Sequence, residues 1–165
     1  MEMKIFLANL GKYTECELVG KWVSLPCQDI GEELETIGVK EGSEYEEYFI
    51  PDYECTFFEI GEYTDLKKLN EIAEKLQEIE KAGELDWLEG YLEAYGGSLE
   101  DAIDEYRDTS EWYPGQTLLE LAEEVIHAEL EVPEELKMYI DYEGYARDLS
   151  RDGFTEVNGG VIEQL

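Results

Sequence analysis

Basic residues are scarce in this chain. Its 165 residues include 12 lysines and arginines against 43 aspartates and glutamates, and the formal net charge is −31. Such a chain repels nucleic acid and anionic membranes, so we expect neither as a partner. Generic solubility does not explain the excess, because a small domain needs a net charge of only about 2–8 to stay soluble.

Residues that carry most catalytic chemistry are also scarce. His127 is the only histidine, and it lies on the charged side of its helix without the HExxH spacing of a zinc protease. Cys16, Cys27 and Cys55 form no CxxC pair, and no acidic loop has the residue order of an EF-hand. Carboxylate pairs have no specificity in so acidic a chain. We therefore predict no enzyme activity, no metal site and no cofactor.

Long apolar runs are absent as well. No segment approaches the ~20 apolar residues of a transmembrane helix. The residues after Met1 begin directly as a strand, without the pattern of a signal peptide. An odd number of cysteines suits a reducing compartment. These observations predict a cytoplasmic location.

Aromatic residues, by contrast, are plentiful. The chain holds 12 Tyr, 5 Phe and 3 Trp, and 43% of it is hydrophobic. Disordered acidic segments lack such content, so the chain is expected to bury cores. Self-repulsion of the charges favours an elongated arrangement of those cores.

The apolar periodicity predicts an α+β fold with sheet at both ends and helices between. Strands are predicted at Met3–Ala8, Leu18–Leu25, Tyr45–Ile50, Tyr53–Ile60, Phe154–Val157 and Val161–Leu165, with a tight turn at Asn158–Gly160. Helices are predicted between Asp29 and Gly38, between Thr64 and Gly83, over 85–95, after Ser98, over Gln116–Glu131, after Pro133 and over Tyr139–Leu149. Asn9–Glu15 is predicted as a turn, and Trp112–Gly115 as a boundary.

These elements group into an elongated chain of three small subdomains. Residues 1–61 form a β-rich subdomain with one short helix, residues 62–108 a short-helix acidic middle whose exposed faces are almost entirely Glu and Asp, and residues 109–165 an α+β subdomain with a terminal hairpin. The three carry −10, −10 and −11. Since B-DNA carries one charge per ~1.7 Å, 31 charges correspond to ~53 Å of duplex. This even distribution resembles the electrostatic profile of a nucleic acid.

An acidic binding surface is the site that this pattern predicts. Its candidate carboxylates lie on the helical part of the chain and comprise Glu71, Glu74, Glu78, Glu89, Glu93, Asp101, Asp104, Glu120, Glu123, Glu124, Glu129, Glu131, Glu134 and Glu135. Trp112 and Tyr113 are candidates for a dimer contact or, equally, for core packing. The three arginines lie in or beside the last third, where we place the dimer interface.

Several strings resemble the ArdA antirestriction family. They occur in order as Ala8–Tyr13, Glu17–Trp22, Tyr45–Ile50 with Asp52–Glu54, and Tyr139–Leu149. The resemblance implies elongated, dimeric mimics of B-form DNA, carried on mobile genetic elements. Such proteins occupy the DNA-binding groove of type I restriction-modification enzymes, without catalysis and without a cofactor. The family's acidic motif then falls before Tyr139, near Glu129–Glu135, and Cys16 stands where a small turn residue such as glycine is expected.

Three alternatives remain open at this stage. A generic acidic module could bind another basic DNA-binding protein without duplex geometry. A hydrolase could use paired carboxylates, which requires a concave site with one perturbed acid. A mimic of DNA could also be directed at a different DNA-binding enzyme or at a repressor.

Overall fold

The protein is an α+β protein of two compact units, Met1–Ala82 and Gly83–Leu165. A computed structural model describes residues 2–55 and 57–165, without the side chain of Glu129. The strands are β1 (Met3–Asn9), β2 (Gly20–Leu25), β3 (Tyr48–Glu54), β4 (Ser110–Pro114), β5 (Phe154–Val157) and β6 (Gly160–Gln164). The helices are α1 (Leu10–Thr14), α2 (Ile30–Thr36), α3 (Leu66–Ala82), α4 (Leu85–Tyr95), α5 (Leu99–Thr109), α6 (Leu118–Glu129), α7 (Glu134–Lys137) and α8 (Tyr142–Arg151).

The first unit is built on an antiparallel sheet in the order β2-β1-β3. Alternation along β1 buries one face, because Met3, Ile5 and Leu7 are each at most 1% exposed. Helix α3 packs against β2 and buries its apolar stripe. Asn70 on this helix accepts a 2.8 Å hydrogen bond from the Cys27 amide and donates to the Cys27 carbonyl. That side chain therefore fastens the segment after β2 to α3.

Two predictions in the first unit are wrong in detail. The predicted turn after β1 is the short helix α1, because the Asn9 side chain caps it by accepting from the Lys12 amide. The predicted strands on either side of Pro51 are one strand, β3. A proline is tolerated there because β3 lies at the edge of the sheet, where a missing N–H breaks no ladder bond on the outer side. Thr56, within the predicted strand Tyr53–Ile60, lies outside the described residues.

The expectation for Cys16 agrees with the backbone. Cys16 has a φ of +66°, the only positive value among the described non-glycine residues. This left-handed conformation favours glycine, because a Cβ crowds the following carbonyl. The chain thus places a strained cysteine directly after α1.

The second unit is built on an antiparallel sheet in the order β4-β6-β5. The predicted terminal hairpin is confirmed as β5 and β6. Strand β4, which contains Trp112 and pairs along β6, was not predicted, and the boundary placed at this segment stays a prediction. The core beneath the sheet is formed by residues from α6, α8 and β6, namely Leu121, Ala122, Leu149 and Val161.

The helices of the second unit follow their capping signals. Ser98 caps α5, and Thr117 caps α6 through a reciprocal capping box with Glu120. Helix α8 begins at Tyr142, three residues later than predicted, because Asp141 caps it through the Gly144 amide. Helix α3 belongs to the first compact unit and α4 and α5 to the second. The division into three subdomains stays a prediction.

Candidate acidic surface

Negative charge is unequal between the two compact units, although it is equal between thirds of the sequence. Residues 1–82 hold 20 acidic and 8 basic residues, or −12, and residues 83–165 hold 23 acidic and 4 basic residues, or −19. Helices α4, α5 and α6 account for much of this difference. Together they carry twelve acidic residues and one arginine, Arg107.

Helix α3 departs from the prediction of an almost wholly acidic face. Its sequence contains four glutamates and four lysines, so the helix itself is electrically balanced. Glu71, Glu74 and Glu78 are exposed and recur at three- and four-residue spacing. They form one stripe with a carboxylate about every 5 Å along the axis. The stripe is therefore negatively charged, although the helix as a whole carries no net charge.

Helices α4 and α5 carry a denser array. Glu89 and Glu93 are exposed on α4, and Asp101 and Asp104 are exposed on α5. Glu93 accepts a 3.0 Å hydrogen bond from the Asn158 amide in the β5–β6 turn. Asp101 accepts a 2.6 Å hydrogen bond from the Ser98 hydroxyl at the start of α5. Both carboxylates thus hold a turn or a helix start while remaining on the surface.

Exposed carboxylates also lie on α6 and on the segment after it. Glu120, Glu123 and Glu124 are exposed on α6, and Glu131, Glu134 and Glu135 are exposed beyond it. The Glu124 carboxylate accepts a 2.5 Å hydrogen bond from the Gln116 amide. The side chain of Glu129 lies outside the described part of the structure. Every candidate carboxylate whose side chain is described is therefore on the surface.

Local partners favour the ionised form of two of these groups. Hydrogen bonds from the Thr117 backbone and side chain lower the pKa of Glu120. A hydrogen bond from Lys137, 2.6 Å away, lowers the pKa of Glu134. A lowered pKa favours the carboxylate over the acid, so both groups are anionic at neutral pH.

A polar cluster around the buried Tyr106 in the second unit was not predicted from the sequence. Glu84, just before α4, accepts hydrogen bonds at 2.7 Å from the Tyr106 hydroxyl and from Arg107 Nε. These bonds lower the pKa of Glu84, the Tyr106 bond most strongly. Burial, and then Glu84, raise the pKa of Tyr106 to about 12. The arginine within the acidic helices therefore forms an ion pair with a half-buried carboxylate.

Trp112 and Tyr113, the candidate dimer contacts, are half-buried within the second unit. The Trp112 ring lies close to Gly90 on α4 and to Gly160 on β6. Tyr113 packs against the core beneath the sheet, and its hydroxyl donates a 2.8 Å hydrogen bond to Glu163. Both rings thus contribute to packing inside the unit, and their role in a dimer stays a prediction.

Apolar side chains are exposed elsewhere in the second unit. Leu130, Leu136, Met138 and Tyr139 are 58%, 54%, 79% and 78% exposed, within ten residues of chain. Sequence reasoning assigned Leu136 and Tyr139 to helices and missed their exposure. Single exposed apolar side chains are common, and these four are notable because they lie so close together in the sequence.

His127 lies where the sequence places it, on the exposed side of α6. Its Nε2 lies 3.1 Å from the hydroxyl of Tyr142, at the start of α8. Among the described residues, no group of three or more His, Cys, Asp or Glu side chains is arranged to hold a metal ion. Nor does any described helix have the length and apolarity needed to cross a membrane.

The first unit has a shallow cleft beside α2. Its volume is about 450 Å³, and its lining includes Leu34, Val39 and Tyr48 together with Glu35 and Glu46. Tyr48 accepts a 2.9 Å hydrogen bond from the Leu66 amide, so its hydroxyl is part of the fold. Helix α2, β3 and the loop between them therefore form this cleft.

Comparison with curated proteins finds no match for the chain. The model of the family described as "Antirestriction protein (ArdA)" matches residues 5–163, which is nearly the whole sequence. The chain therefore belongs to the ArdA antirestriction protein family.

Proposed function

We propose that this protein mimics B-form DNA and occupies the DNA-binding groove of type I restriction-modification enzymes, without catalysing a reaction. Membership of its family supports an antirestriction function and an interaction with restriction enzymes. The observation that carries the mechanism is the charge of α4, α5 and α6, where twelve acidic residues accompany one arginine. That arginine forms an ion pair with Glu84, which offsets its positive charge locally.

The chemistry follows from what such a groove contains. Proteins bind the DNA backbone mainly through lysine and arginine, and carboxylates accept the same charge-assisted hydrogen bonds as phosphates. The array offers no base edges, so it inhibits enzymes of different sequence specificity alike. Many exposed carboxylates each contribute about 0.2–1 kcal/mol, so single Glu→Gln changes have small effects.

A competition assay tests this proposal. A type I methyltransferase core is bound to a labelled duplex, and the protein is titrated in at two salt concentrations. We expect displacement near stoichiometric amounts, weaker displacement at higher salt, and the same result with an enzyme of another sequence specificity. Failure of the folded protein to displace the duplex at either salt contradicts the proposal and favours a generic acidic module.

Variants with matched changes of charge distinguish mimicry of DNA from binding that depends only on net negative charge. In the second unit, the exposed side chains of Glu89, Glu123, Glu131 and Glu135 form no hydrogen bond or ion pair with a described residue, and these four are changed together to glutamine. The control changes four such glutamates of the first unit, Glu41, Glu44, Glu71 and Glu78. We expect a roughly tenfold to hundredfold loss for the second-unit variant and a smaller loss for the control. Equal losses would favour generic acidity.

We further propose that the protein forms a homodimer through the second unit. The exposed apolar side chains of Leu130, Leu136, Met138 and Tyr139 support this, because water contact with them is unfavourable. A second copy that covers this segment also brings two charged surfaces into one assembly. Sedimentation of the Met138→Glu variant is expected to give a monomer, while the control Tyr63→Glu in the first unit stays dimeric. A monomeric wild type at micromolar concentration contradicts the dimer.

A further inference from the structure

One face of the first sheet is open although it carries aromatic side chains. The opposite face supplies the core, through buried residues of β1 and β2 such as Ile5, Leu7 and Val23. Residues paired across antiparallel strands point to the same side, and β1 pairs Lys4 with Ser24 and Glu54, and Phe6 with Trp22 and Asp52. We call the surface formed by Lys4, Phe6, Trp22, Ser24, Asp52 and Glu54 the open sheet face.

An aromatic pair lies at the centre of the open sheet face. The rings of Phe6 and Trp22 meet edge to face, with centroids 5.6 Å apart and planes at 65°. The Phe6 ring lies over Gly20, where an added Cβ would be 2.8 Å from ring atom Cε1. Trp22 remains 44% exposed. Because the buried core lies on the other face, this tryptophan is not required to fill it.

Carboxylates flank the pair on its β3 side. Asp52 faces Phe6 across the sheet, and Glu54 faces Lys4. The Lys4 ammonium is shared between Glu2 at 2.6 Å and Glu54 at 3.7 Å. Three carboxylates thus accompany one ammonium group, and the open sheet face keeps an excess of negative charge.

An aromatic ring beside a carboxylate suits one kind of partner group. A guanidinium stacks on an indole face and donates hydrogen bonds to a carboxylate in the same plane. Phosphate and other anions are repelled here, and an apolar partner has to strip water from Asp52 and Glu54 without compensation. The charge of the face therefore favours an arginine on a basic protein surface.

We propose that the open sheet face is a docking surface for an arginine-bearing basic protein surface, with Trp22 as its anchor and Asp52 as the hydrogen-bond acceptor. The proposal rests on the proposed function, since the same restriction enzyme supplies the arginine. The open sheet face would add an aromatic contact, which an array of phosphates does not offer. Stacking on Trp22 depends little on salt, whereas the carboxylate contacts weaken as salt rises.

The test is the competition assay with Trp22→Thr, run at three salt concentrations. Threonine suits an exposed strand position, so the sheet is expected to persist. We expect displacement of the duplex to weaken about tenfold or more, with an unchanged slope of log affinity against log salt. Asp52→Asn is expected to weaken displacement and to reduce that slope. The control is Tyr63→Thr, which removes an exposed aromatic ring outside the sheet and is expected to leave displacement unchanged.

The possible outcomes separate this inference from the proposed function. If the wild type displaces the duplex and Trp22→Thr does so equally well, the inference falls and the proposed function stands. If the wild type displaces nothing, both fall. A loss in Trp22→Thr accompanied by an equal loss in Tyr63→Thr also overturns the specific role of Trp22.

A second measurement does not depend on how the variant folds. The wild type is labelled with 5-fluorotryptophan, which gives separate ¹⁹F signals for Trp22, Trp87 and Trp112. The Trp22 signal is expected to lose its shift between H₂O and D₂O when the methyltransferase core binds. The half-buried Trp87 and Trp112 serve as internal references in the second unit. A Trp22 signal that keeps its full solvent shift in the complex overturns the inference.

Discussion

The hydroxyl of Tyr106 donates a 2.7 Å hydrogen bond to Glu84, and this bond joins the end of α5 to the residue before α4. The tyrosine is 1% exposed, so its hydroxyl has no access to bulk water as an alternative partner. Glu84 also accepts from Arg107. One carboxylate thus satisfies a buried donor and a cation in the most acidic part of the chain.

Loss of this carboxylate is expected to destabilise the second unit. Glu84→Gln should lower the free energy of unfolding by about 1–2 kcal/mol at pH 7, because charge-assisted hydrogen bonds are replaced by neutral ones. Urea unfolding followed by circular dichroism measures the difference. Glu89→Gln on α4 is the matched control and should change stability by less than about 0.5 kcal/mol.

The same variant has a defined pH dependence. Tyr106 and Arg107 lower the pKa of Glu84 in the folded state. The stabilisation that the Glu84 carboxylate supplies is therefore complete above the ordinary glutamate pKa of about 4.3. It is lost as the pH falls through the lowered pKa that Glu84 has in the folded state. The difference between wild type and Glu84→Gln should stay constant from pH 6 to 8 and shrink below about pH 4. A difference that persists unchanged to pH 3 contradicts this assignment.

Gly160 is expected to tolerate no side chain. A Cβ at this position would lie 2.8 Å from ring atom Cη2 of Trp112 and would collide with the carbonyl oxygen of Tyr113. Gly160→Ala should cost about 2–3 kcal/mol in thermal or urea unfolding, because β4 and β6 have to move apart. In Gly61→Ala the nearest neighbour is the hydroxyl oxygen of Thr64 at 3.3 Å, and stability should be nearly unchanged. Equal effects of the two changes would exclude the clash as the cause.

Replacement of Cys16 by glycine is expected to make the protein more stable. Its φ of +66° strains any residue with a Cβ, so Cys16→Gly should raise the free energy of unfolding by about 0.5–1 kcal/mol. Cys16→Val should lower it, since a β-branched side chain fits this conformation worse. Both variants are compared by urea unfolding under reducing conditions. A glycine variant no more stable than the valine variant would contradict the strain.

Stability and binding are expected to respond to salt in opposite directions. At a net charge of −31, repulsion within the folded chain weakens as the Debye length falls from about 30 Å at 0.01 M salt to about 3 Å at 1 M. The urea midpoint should therefore rise with sodium chloride, while displacement of DNA from the target weakens. Tetramethylammonium chloride should stabilise equally, because the effect is screening. A midpoint that falls with salt would mean that ion pairs dominate.

Sequence patterns predicted the elements with strong periodicity and clear caps. Helix α3, the α4 and α5 pair, α6 and the terminal hairpin are confirmed. Strand β4 was missed because Ser110–Pro114 is short and is followed by Gly115, and a Pro-Gly pair locally favours a break. Strand β3 was split at Pro51 for the same reason. In both cases pairing with a neighbouring strand, which depends on residues far away in sequence, overrides the local signal.

The candidate surface was predictable in part. Exposure of its carboxylates follows from their charge and helical spacing, and it holds for every one whose side chain is described. The unequal charge of the two units becomes visible only when the chain is divided after Ala82, as the structure divides it. The three sequence segments carry nearly equal charges and therefore conceal it. The exposure of Leu130, Leu136, Met138 and Tyr139 was also missed, because apolar residues at such spacing ordinarily indicate a core.

Five surface carboxylates each hold part of the fold, through hydrogen bonds to a turn, to a helix start or to a neighbouring side chain: Glu93, Asp101, Glu120, Glu124 and Glu134. A random mutation that replaces one of these carboxylates therefore removes a charge and also weakens the local structure. Selection for folding alone then favours keeping these five carboxylates, even where no restriction enzyme is met. Glutamine and asparagine, which keep the accepting oxygen, are the replacements by which such a surface can lose charge without losing its shape.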